Sequence, residues 1–212
     1  MPTTTTKKRT TASRSKSTSA AKRPTAKASS SRSTGSAPKT PHSTATFPGA
    51  LGLLHHDHEE VEKMLEEFEK AKGQEQMELA RRICMELTIH ALLEEQSFYP
   101  LIMEMGAEFK DMVLEAHEEH RQVKELIGML EGSRPTEERF EPRMKVLMDD
   151  VLHHVQEEEK QLFPKLKKQV NKTRMEQWGQ ELEQVKTRLR REQGGMPAEK
   201  RMTEEVRERA RA

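Results

Sequence analysis

Cysteine, aromatic residues and long apolar stretches are scarce in this 212-residue sequence, and each shortage excludes a class of protein. The single cysteine, Cys84, excludes a disulfide framework and a cysteine-based zinc site. A lone thiol is typical of a reducing compartment, so we expect a cytoplasmic protein. No stretch approaches the ~20 consecutive apolar residues of a membrane-spanning helix, so we expect no membrane partner.

Glycine (10 residues) and aromatic residues (4%) are few, whereas the strong helix formers Glu, Leu, Lys, Met, Arg and Gln are abundant. This composition favours a mainly α-helical protein. The length allows one domain of ~100–150 residues together with flanking tails.

Acidic residues are absent from positions 1–46, which contain ten Lys and Arg residues and many Ser and Thr residues. The segment also lacks Val, Ile, Leu, Phe, Trp and Tyr, so it cannot bury enough apolar surface to offset the entropy lost on ordering. We therefore predict a disordered basic tail over 1–46. Three roles for it stay open: a solubilising tail, a nucleic-acid tether that neutralises phosphates, and a transit peptide. The net charge of +1 thus combines a strongly basic tail with an acidic body.

Four runs of apolar residues recur at helical spacing after this tail. The runs end near Gly73, Pro100, Gly132 and Pro164, residues that interrupt helices. Because the connections are short, consecutive helices are expected to be antiparallel. The sequence therefore predicts an all-α, up-down-up-down four-helix bundle over 47–170.

An additional C-terminal helix is predicted over 171–193. Thr173 and Glu176 have the spacing of a capping box at its start, and Trp178 lies on its apolar face. The segment 194–212 is polar on all sides, so we expect it to be frayed.

The predicted bundle contains an internal repeat. Segments 89–100 and 153–164 carry His, two Glu, an apolar residue, an aromatic residue and Pro in the same register, 64 positions apart. A second match, at 62 positions, places His58 over His120. The bundle is therefore expected to consist of two similar helical hairpins.

Each hairpin carries one His–Glu pair with i,i+4 spacing and one further His. The two side chains of such a pair lie on one helix face, so they can direct a nitrogen and an oxygen towards one point. Imidazole and carboxylate ligands suit iron, manganese or zinc, and two glutamates that each bridge two metals would satisfy both metal positions. The predicted metal ligands are His58, His90, Glu94, His120, His154 and Glu158.

Residues beside this set are candidates for orienting the ligands. They are His55, Asp57, Tyr99, His117 and Glu119. A solvated position for the histidines and acids, and helix-end packing for Tyr99, are the alternatives. His117 and His120 are three positions apart and both can point inward, but the register with His58 favours His120 as the ligand.

The segments LLHHDHEEVEKMLEEFE, IHALLEEQSFYP, EEHRQVKELI and HHVQEEEKQLFP resemble the hemerythrin-like family, also called the HHE cation-binding domain. The resemblance implies a four-helix bundle that holds a non-haem, oxo- or hydroxo-bridged pair of iron ions. It implies the same six ligands, with Glu94 and Glu158 bridging. Oxygen-carrying members have His-x-x-x-His on the third helix and Asp on the fourth. This sequence instead looks more like the iron-sensing and iron-centre-repair members.

These features lead to one main functional hypothesis and two alternatives. We expect a di-iron protein that binds or senses O2, NO, peroxide or iron in a stress or redox response, rather than an enzyme. One alternative is a di-iron oxidase, peroxidase or NO reductase. The other is a metal-binding protein that associates with nucleic acid through residues 1–46.

Overall fold

Regular structure in residues 47–194, the part of the chain that the computed structural model describes, is entirely helical. The α-helices are α1 (Gly49–Lys70), α2 (Gly73–Leu93), α3 (Tyr99–Met103), α4 (Ala107–Glu131), α5 (Phe140–Glu157), α6 (Phe163–Gln169) and α7 (Lys172–Gly194). Two π-helical turns, Glu94–Phe98 and Glu158–Leu162, join α2 to α3 and α5 to α6. The all-α prediction is confirmed, and the predictions for 1–46 and 195–212 lie outside the described residues.

The four long helices α1, α2, α4 and α5 form a closed bundle. Each of them packs against two of the others, in the order α1, α2, α4, α5 and back to α1. The predicted four-helix bundle with an additional C-terminal helix is therefore confirmed. The additional helix, α7, packs mainly against α1 and α2 on the outside of the first hairpin.

Two apolar clusters fill the bundle, and a polar layer separates them. One cluster contains Leu54, Phe98 and Phe163, and the other contains Val61 and Phe140. Each long helix carries a buried histidine near the boundary between the two clusters. The polar layer therefore lies deep in the bundle, where charged groups need partners.

The two π-helical turns occupy equivalent places in the repeat. The backbone N–H of Tyr99 donates to the carbonyl of Glu94, and that of Phe163 donates to the carbonyl of Glu158. A proline follows directly in both cases, at the start of α3 and of α6. Proline lacks an N–H and its ring clashes with the carbonyl four residues back, so the helix widens before it.

The start of α7 differs from the predicted capping box. Asn171 precedes the helix, and its Oδ1 accepts a hydrogen bond from the backbone N–H of Arg174 at 2.9 Å. Asparagine is a preferred residue at this position, so it caps the helix two residues before Thr173. The predicted box of Thr173 and Glu176 is therefore wrong.

Two glycines allow α7 to approach α1 closely. Gly49 has a φ of +53°, and a Cβ added to it would lie 2.1 Å from the carbonyl oxygen of Met175. A Cβ added to Gly179 would lie 2.7 Å from the carbonyl carbon of Gly49.

None of the helices in residues 47–194 has the length and apolar character needed to cross a lipid bilayer.

Candidate metal centre

All six predicted ligands meet in the polar layer, and each is at most 7% exposed. They form two groups that share Glu94. One group contains His58, His90, Glu94 and Glu158, and the other contains Glu94, His120 and His154. Within each group the candidate ligand atoms lie within 4.8 Å of one another, which defines two candidate metal positions.

The first metal position lies between α1 and α2. The Nε2 atoms of His58 and His90 are 3.2 Å apart. Glu94 Oε1 lies 3.3 Å from His90 Nε2, and Glu158 Oε2 lies 3.5 Å from His58 Nε2. Two nitrogens and two oxygens therefore converge on one point.

The second metal position lies between α4 and α5. The Nε2 atoms of His120 and His154 are 3.2 Å apart, and Glu94 Oε2 lies 3.3 Å from His120 Nε2. Glu158 Oε2 lies 4.0 Å from His154 Nε2. Glu94 thus directs one oxygen towards each position, as a bridging carboxylate does.

Two buried carboxylate oxygens indicate that this set of residues fits metal ions. Glu94 Oε1 and Glu158 Oε2 have no hydrogen-bond partner within residues 47–194. A buried carboxylate oxygen without a partner raises the free energy of the folded state. Cations bound between the imidazole nitrogens and these oxygens would remove that cost.

A carboxylate faces the outer ring nitrogen, Nδ1, of each candidate histidine ligand. The pairs are His58 with Glu159 at 2.9 Å, His120 with Glu95 at 3.2 Å, His154 with Glu119 at 2.8 Å, and His90 with Asp57 at an ion-pair distance of 3.6 Å. In the three hydrogen-bonded pairs the carboxylate can only accept, so Nδ1 carries a proton and Nε2 is the ring nitrogen left to face a metal ion. This is the usual arrangement around histidines that bind metals.

Each of these outer carboxylates also has a basic partner. Lys186 of α7 donates to Asp57, and Lys124 donates to Glu95 at 2.7 Å. His55 Nδ1 donates to Glu159 at 2.7 Å, and His153 Nε2 lies 3.8 Å from Glu119. Residues from outside the six-ligand set thus pair with all four outer carboxylates, and two of these partners are lysines.

Comparison with known families agrees with this geometry. The model of the Hemerythrin HHE cation binding domain matches residues 50–166, which is more than half of the chain. The chain belongs to the hemerythrin HHE cation-binding domain family. The family is named for cation binding, and the buried His and Glu cluster of this HHE domain supplies candidate ligands for it.

Two curated relatives resemble this HHE protein. A DNA nickase of Nostoc sp. strain PCC 7120 is 27% identical over 144 residues, which are 68% of this chain and 40% of the nickase. An uncharacterized hemerythrin-like protein of Schizosaccharomyces pombe is 27% identical over 114 residues, 51% of this chain and 56% of that protein. The chain thus spans only about half the length of these relatives.

A solved structure shares the fold. The crystal structure of a hemerythrin HHE cation-binding domain-containing protein from Mycobacterium kansasii has a TM-score of 0.58 and 21% identity. The match covers 68% of this chain and 88% of that chain. At this level of identity the likeness concerns the fold alone.

Tyr99 connects the two glutamates of the HHE site. Its hydroxyl lies 3.2 Å from Glu94 Oε2 and 3.1 Å from Glu158 Oε1, so its single proton is shared between the two carboxylates. Burial and the charges of both carboxylates raise the pKa of Tyr99 well above its ordinary value. Tyr99 therefore stays protonated and holds the two glutamates at a fixed separation.

Charges within the site stabilise ionised ligands. Burial raises the pKa of the Glu94 carboxyl, but the charge of His90 and hydrogen bonds from His120 and His154 outweigh it and hold the pKa well below its usual range. Burial lowers the pKa of His90, but the carboxylates of Glu94 and Asp57 outweigh it and raise the pKa to about 10. A metal ion therefore competes with protons for these imidazoles.

All five residues predicted to orient ligands lie beside the site. Asp57, Tyr99 and Glu119 face a candidate ligand directly, and His55 faces one through Glu159. His117 faces one through Glu95, with its Nδ1 3.7 Å from that carboxylate and its side chain 33% exposed. His120, rather than His117, faces the metal positions.

Sequence reasoning missed four residues around the ligands. Glu95 and Glu159 occupy the same register of the repeat, and this was the signal that could have found them. Lys124 and Lys186 have no comparable signal. Lys186 reaches Asp57 across 129 positions, because α7 folds back onto α1.

Proposed function

We propose that this HHE domain holds two iron ions between its six ligands and binds or senses O2, NO or peroxide there, in a stress or redox response in the cytoplasm. The observation that carries the proposal is Glu94, which is fully buried and directs one oxygen towards each pair of histidines. Six protein side chains leave at least one coordination position for a small ligand. Bound iron would supply that open position and its redox chemistry.

A small cavity beside the four histidines supports a small, uncharged ligand. It has a volume of about 20 Å³ and is lined by His58, His90, His120 and His154 on one side. Its remaining wall is mostly apolar and includes Val123 and Val155. This volume suits one water-sized molecule, and the apolar wall favours a diatomic molecule over an ion.

Metal analysis tests the proposal directly. Protein purified from iron-replete cells is expected to contain two iron ions per chain and to show the near-ultraviolet absorption of a bridged iron pair. The spectrum should change when O2 or NO is added to the reduced protein. A colourless, iron-free protein from such cells would contradict the proposal.

Catalysis at the same site is distinguished from binding by turnover. If the protein is an oxidase, peroxidase or NO reductase, it consumes H2O2 or NO over many cycles. Glu94→Ala should abolish that consumption because it removes the residue shared by both metal positions. A binding or sensing protein binds its ligand once and shows no sustained turnover.

We propose association with DNA as a second function. It is supported by the ten basic and no acidic residues of 1–46 and by the likeness to a protein named as a DNA nickase. Binding through phosphates is expected to weaken steeply with salt and to disappear when residues 1–46 are deleted. Gel-shift titrations measure binding, and conversion of supercoiled plasmid to its relaxed form measures nicking. Salt-independent binding, or unchanged binding by the truncated chain, would contradict this proposal.

A further inference from the structure

The two hairpins differ in the residues that lie between the ligands and solvent. The repeat register pairs Glu119 with Asp57, His153 with Ile89 and Glu157 with Leu93. In the first hairpin, Ile89 and Leu93 are buried apolar residues. The second hairpin has an imidazole and a carboxylate at the same places, and both are accessible to solvent.

The three polar residues of the second hairpin form a cluster. His153 Nε2 lies 3.8 Å from Glu119 Oε1 and 3.7 Å from Glu157 Oε1. The His153 side chain is 67% exposed, whereas the Glu119 and Glu157 side chains are 18% and 31% exposed. One imidazole and two carboxylates are suitable ligands for divalent iron, cobalt or zinc.

The cluster is connected to the second metal position in two ways. Glu119 contacts a ligand of that position, because its Oε2 accepts a hydrogen bond from the outer nitrogen of His154, Nδ1, at 2.8 Å. A cavity of about 50 Å³ is lined by Glu119 and Glu157 and also by His154 and Glu158. Glu158 is 3% exposed, and its Oε2 has no hydrogen-bond partner among the described residues. A buried carboxylate residue of the candidate site therefore lines the same cavity as the surface carboxylates.

We propose that Glu119, His153 and Glu157 form a loading site, which binds a divalent cation from solvent and delivers it through this cavity to the second metal position. The inference rests on the proposed metal function. Transfer requires only ligand exchange, from the surface carboxylates to Glu158 and His154, which line the same cavity. The corresponding place in the first hairpin is closed by buried apolar side chains, and the ammonium group of Lys186 lies against Asp57, where it repels cations.

The rate of metal uptake tests this loading site. The full-length protein is stripped with a chelator, and Co²⁺ is added while its visible absorption is followed in a stopped-flow instrument. His153→Ala and Glu157→Gln should slow uptake several-fold, and both variants should still reach the wild-type content of the buried positions. Equilibrium dialysis should also show one weakly bound Co²⁺ in the wild type that His153→Ala lacks.

A matched control is available on α1. His56 and Glu60 also form an exposed i,i+4 pair, with 3.8 Å between His56 Nε2 and Glu60 Oε1 and a His56 side chain that is 65% exposed. His56→Ala should take up Co²⁺ at the wild-type rate. Equal rates for His153→Ala and His56→Ala would overturn the loading site and leave the metal function intact. A wild type that takes up no Co²⁺ in its buried positions would overturn both.

Discussion

The two hairpins of this HHE domain carry the same ligands in different surroundings. In the first, α7 covers the outer carboxylate Asp57, whose side chain is 7% exposed and is paired with Lys186. In the second, the equivalent Glu119 is 18% exposed and lies beside the exposed imidazole of His153. The repeat thus specifies the candidate ligands of both halves, and α7 determines how accessible the first half is to solvent.

This difference assigns separate tasks to the two halves. The buried ion pair and the apolar cover of the first hairpin favour retention of a bound cation. The exposed carboxylates and the cavity of the second hairpin favour exchange with solvent. The predictions below test this division, starting with the largest expected effect.

Glu94→Ala should remove metal from both halves at once. Glu94 belongs to both groups of candidate ligands, so its loss removes one carboxylate oxygen from each position. We expect almost complete loss of bound iron, measured by elemental analysis of the purified protein. His90→Ala and His154→Ala each affect one position and should retain about half of the metal, because each half has its own pair of histidines. Equal metal content in all three variants would contradict the division into two positions.

Lys186→Met should destabilise the first hairpin strongly. The substitution leaves the Asp57 carboxylate buried without its ammonium partner, and breaking such a pair costs about 3 kcal/mol. Urea unfolding of the metal-free protein measures the loss. Lys124→Met is the matched variant in the second half and should lower the free energy of unfolding less. Glu95 keeps a hydrogen bond from His120, whereas Asp57 keeps only a 3.6 Å contact with His90. A larger decrease in the free energy of unfolding for Lys124→Met would contradict the idea that α7 protects the first half more strongly.

Gly179→Ala should weaken the packing of α7 on α1 and so make the first hairpin as accessible to solvent as the second. The added Cβ would lie 2.7 Å from backbone atoms of α1, which cannot move away as a side-chain end can. Such overpacking costs about 2 kcal/mol. Hydrogen exchange of α1 and α2 amides should become faster, while α4 and α5 stay unchanged. Gly132→Ala, which has open space around its added Cβ, is the control and should leave exchange unaltered.

Much of this arrangement could be predicted from local patterns in the sequence. Helical periodicity, the interrupting Gly and Pro residues and the repeat are short-range signals, and they led to the confirmed fold class. The repeat also led to the six candidate ligands, which the structure brings together in one layer and whose metal binding stays a prediction. Pairing of Lys186 with Asp57 depends instead on how α7 docks onto α1. No periodic pattern encodes that contact, because it joins residues that are 129 positions apart.

The smallest predicted effect compares the two outer carboxylates. Asp57→Asn and Glu119→Gln each keep an oxygen that accepts a hydrogen bond from the ligand histidine and remove its charge. Loss of such an outer charge lowers metal affinity roughly tenfold, so both variants should show a similar decrease in Co²⁺ titrations against a competing chelator.

Stability should then separate the two variants. Asp57→Asn leaves the buried ammonium of Lys186 without a counter-charge, whereas the partners of Glu119 include the solvated imidazole of His153. Asp57→Asn should therefore lower the free energy of unfolding of the metal-free protein, and Glu119→Gln should leave it nearly unchanged. If both variants lower the free energy of unfolding by the same amount, the outer carboxylates of the two halves contribute equally to stability. Packing of α7 over Asp57 would then not stabilise the first half more than the second.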